Sequence, residues 1–331
     1  MDSGNLMSGQ GIFVIVLLCI GLFIKLRSLF IKPNLLDICM SDTPQQIIEA
    51  LKKRADVNAR DKDGKTPLMF AAYYNSDPDV TKALIAAGAD VNAVDNDGDT
   101  ALMKAASNNE NPDVIKALIV AGADVNAVDG DGRTVLMEAV SGNENPDVIK
   151  ELIVAGADVN AVDKDGSTVL TWATWSNPNP DIIEALITAG VDVKVVDEYG
   201  KTALMAAAKY ILNLDIIKML ITAGADVNAR DNDGTTVLMM VADNSNLDAT
   251  RVLIAAGADV NAVDGNGRTA LIWATWFATK PNPDVVIMLI DSGADPNIKD
   301  NEGFDARHYI KNNNDLKNTK AYQILLNAKG R

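Results

Sequence analysis

The sequence predicts an all-α protein, a solenoid of stacked helix pairs behind a hydrophobic N-terminal helix. Three observations predict it. A D-x-x-G-x-T-x-L pattern recurs with its Gly at 64, 98, 132, 166, 200, 234 and 267, a period of 34 residues that shortens once to 33. A second pattern, A-G-A-D-V-N-A, keeps step with its Gly at 88, 122, 156, 190, 224 and 257, and Ser292 to Asn297 closes the series. Self-similarity at such a period marks an array of small units that bury their apolar faces only against one another. Third, Gly11 to Ile24 is a run of 14 residues without a charge.

Residues 1–32 form the predicted anchor and its basic flank. A 14-residue helix spans roughly 21 Å, short of a ~30 Å hydrocarbon core. Leu26, Leu29, Phe30 and Ile31 extend the run past Lys25 and Arg27, whose long stems can reach the headgroups. Residues 11–31 therefore suffice for one spanning helix. No Lys or Arg precedes the run and no A-x-A-like site follows it, which argues against a cleaved signal peptide. Lys25, Arg27 and Lys32 all follow it, so the positive-inside bias places the rest of the chain in the cytoplasm. Export with an uncleaved anchor is the alternative.

Residues 33–331 form the predicted solenoid: an N-terminal cap over 33–60, seven repeats over 61–299 and a C-terminal cap over 300–331. In the N-terminal cap, Leu35 to Met40 reads as a short helix. Thr43-Pro44-Gln45-Gln46 reads as a capping box with Pro at the first helical position. The second repeat shows the unit. Thr100 to Asn108 is an Ala-rich helix. Asn111-Pro112 opens a second helix, with Asn as the cap and Asp113 at the positive end of the helix dipole. Val114, Ile115, Leu118 and Ile119 make its apolar stripe, and Gly122 ends it. Asp95-Asn96-Asp97-Gly98 has the residues of a tight turn.

These motifs resemble the ankyrin repeat. The first copy reads Gly64-Lys65-Thr66-Pro67-Leu68-Met69-Phe70-Ala71-Ala72 and ends Gly88-Ala89-Asp90-Val91-Asn92-Ala93. The other helical repeat of this length, the tetratricopeptide, needs a W-x-x-L-G-x-x-Y core that is absent. The resemblance spans about residues 35–331 and implies helix pairs with projecting β-turn fingers, a concave groove and protein partners. The chain departs from the family pattern in three respects. The histidine after T-P-L is Met69, Met103, Met137, Met205 or Met239 in five copies, Thr171 in the fourth and Ile272 in the seventh. A longer Asn/Pro linker joins the helices. Lys194 interrupts an asparagine column at 58, 92, 126, 160, 228, 261 and 297, which predicts a local irregularity.

Two columns on one face of the first helices vary freely between copies. One runs Phe70, Lys104, Glu138, Trp172, Ala206, Met240, Trp273 and the other Tyr73, Ser107, Ser141, Trp175, Lys209, Asp243, Trp276. All four tryptophans fall here, and Tyr74, Tyr210 and Phe277 follow one position on. The candidate partner-binding residues are thus Phe70, Tyr73, Tyr74, Trp172, Trp175, Tyr210, Trp273, Trp276 and Phe277. Exposed Trp and Tyr are enriched at binding hot spots. Trp172 and Trp273 fit packing on a neighbouring helix as well as contact; the second column is the more exposed.

Charge narrows the partner. The chain holds 30 Lys+Arg and 45 Asp+Glu, a net −15, and residues 66–299 alone hold 15 against 34. That field disfavours nucleic acid and favours a basic or amphipathic protein partner. A column of aspartates at 61, 95, 129, 163, 197, 231 and 264 reads as solvated turn-forming residues. Asp95 to Asp99 lacks the EF-hand spacing, with Gly98 fourth instead of sixth. One His and two Cys leave too few soft ligands for a zinc site. There is no P-loop, G-x-S-x-G or H-E-x-x-H. The reading is a non-enzyme with no catalytic residues, metal, cofactor or evident small-molecule substrate. It is a membrane-tethered interaction module working through its concave face. An inhibitor or immunity-type protein that masks one toxin or enzyme is the alternative.

Overall fold

The computed structural model describes residues 35–40, 43–211, 213–276 and 281–328. The predicted anchor over 1–32 lies outside them, and so does Phe277. Among the described residues no helix is long and apolar enough to cross a membrane.

Each repeat is a finger and two helices. The first helices (Pro67–Tyr74, Ala101–Asn108, Val135–Gly142, Val169–Ser176, Ala203–Ala206, Val237–Asp243, Ala270–Trp276) pack in one row. The second helices (Pro78–Ala86, Pro112–Val120, Pro146–Val154, Pro180–Thr188, Leu214–Thr222, Leu247–Ala255, Pro283–Asp291) pack in another. Leu68, Leu102, Leu136, Leu170, Leu204, Leu238 and Leu271 fill the core from the first row. Leu84, Leu118, Leu152, Leu186, Leu220, Leu253 and Leu289 fill it from the second. Leu35–Ile38 and Pro44–Lys52 cap one end, Ala306–Asn312 and Lys320–Asn327 the other.

The sequence signals act as read. Thr100 caps its helix by accepting the Met103 N–H on Oγ1 at 3.2 Å. Asn111 accepts the Asp113 N–H at 3.0 Å, with Pro112 at the first helical position. Gly122 takes φ +92°, the left-handed conformation that closes the helix. The methionines at the histidine position are buried. In three repeats the thioether sulfur accepts a capping N–H, from Thr66 to Met69, Thr134 to Met137 and Thr236 to Met239, at 3.3–3.4 Å.

Three hydrogen-bond series tie successive repeats together. Fingers join through backbone, as in Asn96 N–H to Asp63 O at 3.0 Å and Gly130 N–H to Asp97 O at 2.8 Å. The asparagine column beyond the second helices bridges copies: Asn92 donates to Gly122 O at 2.9 Å and accepts the Asp124 N–H at 2.9 Å. The Asn/Pro linker supplies the third series. Buried Asn109 donates to Ala72 O and Asn75 O of the preceding repeat and accepts the Asn111 N–H. Asn143 and Asn177 repeat this arrangement.

The irregularity expected at Lys194 is present. An ammonium has no acceptor for the Asp226 N–H, so that bridge to repeat five lacks its asparagine. The buried member of the linker series lapses at the same junction, because position 211 holds Ile where 75, 109, 143 and 177 hold Asn, while Asn213 still donates to Pro178 O at 3.3 Å. There the first helix stops at Ala206 and widens into a π turn over Ala207–Ile211. Such turns are often found at functional sites.

Candidate partner-binding groove

The finger aspartates order the face made by the fingers and first helices. In every repeat Oδ1 accepts two N–H groups of its own turn; Asp163, for example, takes those of Asp165 and Ser167 at 3.0 and 2.8 Å. The turn-forming part of the expectation stands, but the solvated part needs correction. Asp95, Asp264 and Asp300 are buried. Their second oxygens are covered by the residue nine positions on, at the first variable column. Asp264 Oδ2 accepts the Trp273 indole N–H at 3.0 Å, and half-buried Asp163 Oδ2 accepts that of Trp172 at 2.8 Å. Asp300 Oδ2 accepts the Tyr309 hydroxyl, and Asp95 Oδ2 pairs with the Lys104 ammonium at 3.2 Å.

These contacts shift the titration of the groups involved. Burial and the hydrogen bond to Asp300 push Tyr309 up to about 12. Burial alone would raise Asp300, but the Tyr309 hydroxyl, two backbone N–H groups and the Arg268 charge together hold it below the usual carboxylate range. Burial pushes the Glu138 carboxyl up, although Arg133 Nη1 lies 3.3 Å away. Asp95, Asp97 and Asp99 bring carboxylate oxygens within 4.8 Å of one another. The Lys104 ammonium already pairs with Asp95 and Asp99, so a cation occupies this cluster from within.

The described candidate residues fall into three groups, not one continuous surface. At the N-terminal end Phe70 and Tyr74 stack at 6.4 Å, and Tyr73 meets Tyr74 edge-on at 4.6 Å. At the C-terminal end Trp276 stacks on Tyr309 of the cap at 4.6 Å, beneath the Arg268 guanidinium at 4.3 Å. Trp273 is held by Asp264 beside it. Lys104, Ser107, Glu138 and Ser141 separate the first group from the centre, and Met240 and Asp243 separate the centre from the last.

The central group lines a groove of about 520 Å³ across repeats three to six. Trp172 and Trp175 lie 5.6 Å apart, and Tyr210 continues the series 5.7 Å from Trp175. Trp175 is 48% exposed and Tyr210 46%. The Arg133 guanidinium covers Trp172 at 4.8 Å. Sequence reasoning missed Tyr199, Lys201, Ala206 and Met240, which also line the groove. Ala206 was the available signal. It is the smallest residue of the first column and stands between Trp172 and Met240, so the groove deepens where a side chain is lacking. Lys201 lies over the Tyr199 ring at 5.4 Å and Lys209 over Tyr210 at 5.5 Å. Neither forms an ion pair among the described residues.

A family model for ankyrin repeats (3 copies) matches the chain over residues 35–129, 136–231 and 213–300, and one for ankyrin repeats (many copies) matches residues 110–153. No curated protein matches it.

Proposed function

Because the chain belongs to the ankyrin-repeat family, whose repeats make protein–protein interaction modules, we propose that it is tethered to a membrane through residues 11–31 and engages a basic or amphipathic protein partner on the concave face formed by its fingers and first helices. The observation that carries the choice of face is the exposed pair Trp175 and Tyr210 in the central groove. Large aromatics left half in water beside a cavity of this size are what a binding hot spot requires. The excess of acid over the repeats supplies a field that speeds encounter with a basic surface. At the groove itself both signs alternate among aromatic rings, which suits an amphipathic segment.

Cross-linked capture from native membranes tests the reading, with wild type compared against a Trp175→Ala/Tyr210→Ala variant. A protein partner captured by wild type and lost by the folded variant supports it. Equal capture by both moves the contact off this face. A single captured partner that loses its own activity on binding recasts the protein as an inhibitor. A reporter fused after Arg331 and active only outside the cytoplasm reverses the proposed orientation.

A further inference from the structure

We infer that the groove over Ala206 is an anchor pocket that receives one tryptophan or tyrosine side chain of the partner, with its N–H or O–H donated to Asp197 Oδ2. The inference rests on the proposed use of the concave face.

The chain contains the occupied versions of this pocket. Nine residues after a finger aspartate, the first column supplies a donor to Oδ2 in four places: Lys104, Trp172, Trp273 and Tyr309. In repeat five the same position is Ala206, which carries no donor and little volume. Asp197 Oδ1 is engaged like the others, by the N–H groups of Tyr199 and Lys201 at 2.9 and 2.8 Å. That leaves Oδ2, the oxygen that meets the first-column donor in those four places, and both Asp197 and Ala206 line the groove. Trp172 and Met240, from the repeats on either side, flank Ala206, and Trp175 and Tyr210 line the same groove.

The internal copies also decide which donor fits. Lys104 occupies its place because Asp99, four residues after Asp95, gives it a second carboxylate. The residue four after Asp197 is Lys201, which would repel an incoming ammonium or guanidinium. Where that position is not acidic and the slot is filled by a donor, the donor is aromatic: Ser167 accompanies Trp172, Arg268 accompanies Trp273 and Phe304 accompanies Tyr309. Repeat seven, with Arg268 beside Trp273, is the nearest likeness to Lys201 beside a partner's indole.

The test pans a library of random twelve-residue peptides on the full chain, then measures the enriched peptides by fluorescence anisotropy. Enrichment of one Trp or Tyr position is expected. Ala206→Trp, in which the chain fills its own pocket, should weaken these peptides by about tenfold or more, and its unfolding midpoint should not fall. Asp197→Asn keeps the Oδ1 acceptor of the turn and replaces Oδ2 by an amide donor. On wild type, changing the peptide's Trp to Phe should cost about tenfold; on Asp197→Asn the two peptides should bind alike. That convergence is not produced by a merely structural disturbance. Peptides anchored by Lys or Arg, peptides indifferent to both variants, or no enrichment at all would overturn the pocket. Peptides indifferent to the pocket variants but lost on Trp175→Ala/Tyr210→Ala would overturn the pocket and leave the concave-face reading standing. Peptides indifferent to all of these variants would overturn both.

Discussion

Replacing Asn109 by alanine removes the side-chain bridge between the linkers of the first two repeats. The amide is buried and makes three hydrogen bonds: its Nδ2 donates to Ala72 O at 2.9 Å and Asn75 O at 3.0 Å, and its Oδ1 accepts the Asn111 N–H at 3.1 Å. Ala72 lies in the last turn of its helix, where carbonyls lack intrahelical partners. At about 1 kcal/mol net for each bond, with all three partners left in place, the variant should lose about 3 kcal/mol. In a solenoid the loss falls on one interface, so the N-terminal cap and repeat one should unfold ahead of the rest. Urea titration of the full chain, followed by far-UV circular dichroism, should show a lower midpoint and a broadened or split transition. Asn109→Asp separates the halves of the bridge. It keeps an acceptor for the Asn111 N–H but turns a carboxylate toward two carbonyls, so it should be at least as damaging at neutral pH. It should recover partly on acidification, when a carboxyl proton can again be donated. A loss under about 1 kcal/mol for Asn109→Ala, with an unchanged transition, would refute the view that these asparagines hold the stack.

Lys194→Asn should stabilise the chain by about 1 kcal/mol, since it restores a donor for Gly224 O and an acceptor for the Asp226 N–H; the urea midpoint checks it. Gly142→Ala should cost about 2 kcal/mol in the same assay, because its Cβ would lie 2.5 Å from the carbonyl oxygen of Ser107 on the preceding first helix. Folded Tyr309 keeps its proton to about 12, whereas an unfolded tyrosine loses it near about 10. Its contribution is therefore complete below about pH 10 and is lost as pH rises from there through the folded value. Asp300, held below its ordinary range, works in the opposite sense: its contribution is lost as pH falls below about 4 toward its folded value. Tyr309→Phe should be less stable at neutral pH and should show a smaller alkaline decline, read from midpoints measured across pH.

Much of the fold was legible because the chain repeats its own signals. The helix expected from Thr100 to Asn108 runs Ala101–Asn108 with Thr100 as its cap, and Asn111-Pro112 opens the next as expected. What the linker asparagines do was not legible. A buried Asn that bridges two copies and an exposed Asn in a loop have the same composition, and only the stacking brings Ala72 O to Asn109. The tryptophans posed a related difficulty. Trp172 and Trp175 occupy one helix face, yet one indole is held by Asp163 and the other stands half in solvent. The deciding spacing, nine residues back across a turn, belongs to neither helical nor strand periodicity. The π turn was hidden for another reason: Ala207 to Tyr210 has the composition of ordinary helix.

The departures from the repeat pattern explain more about the groove than the aromatics do. Lys194 stands where an asparagine would bridge two repeats, Ala206 leaves the first column without a large side chain, and position 211 lacks the asparagine of another bridge. All three fall between residues 194 and 211, at the junction of repeats four and five. A copy with Asn at 194 and 211 would obey the pattern of the preceding repeats at both positions. The finger series still crosses this junction, with the Glu198 N–H donating to Asp165 O at 3.2 Å, so backbone pairing survives where two of the side-chain bridges lapse. Packing supplies the rest: Leu204, Ile216, Ile217 and Leu220 are fully buried, as their counterparts are elsewhere. Fingers, core and the remaining side-chain bond from Asn213 Nδ2 to Pro178 O at 3.3 Å hold this junction, and its first helix widens at Ala207. Tyr210 stands in that turn 5.7 Å from Trp175, so the exposed aromatic pair lies where the pattern breaks.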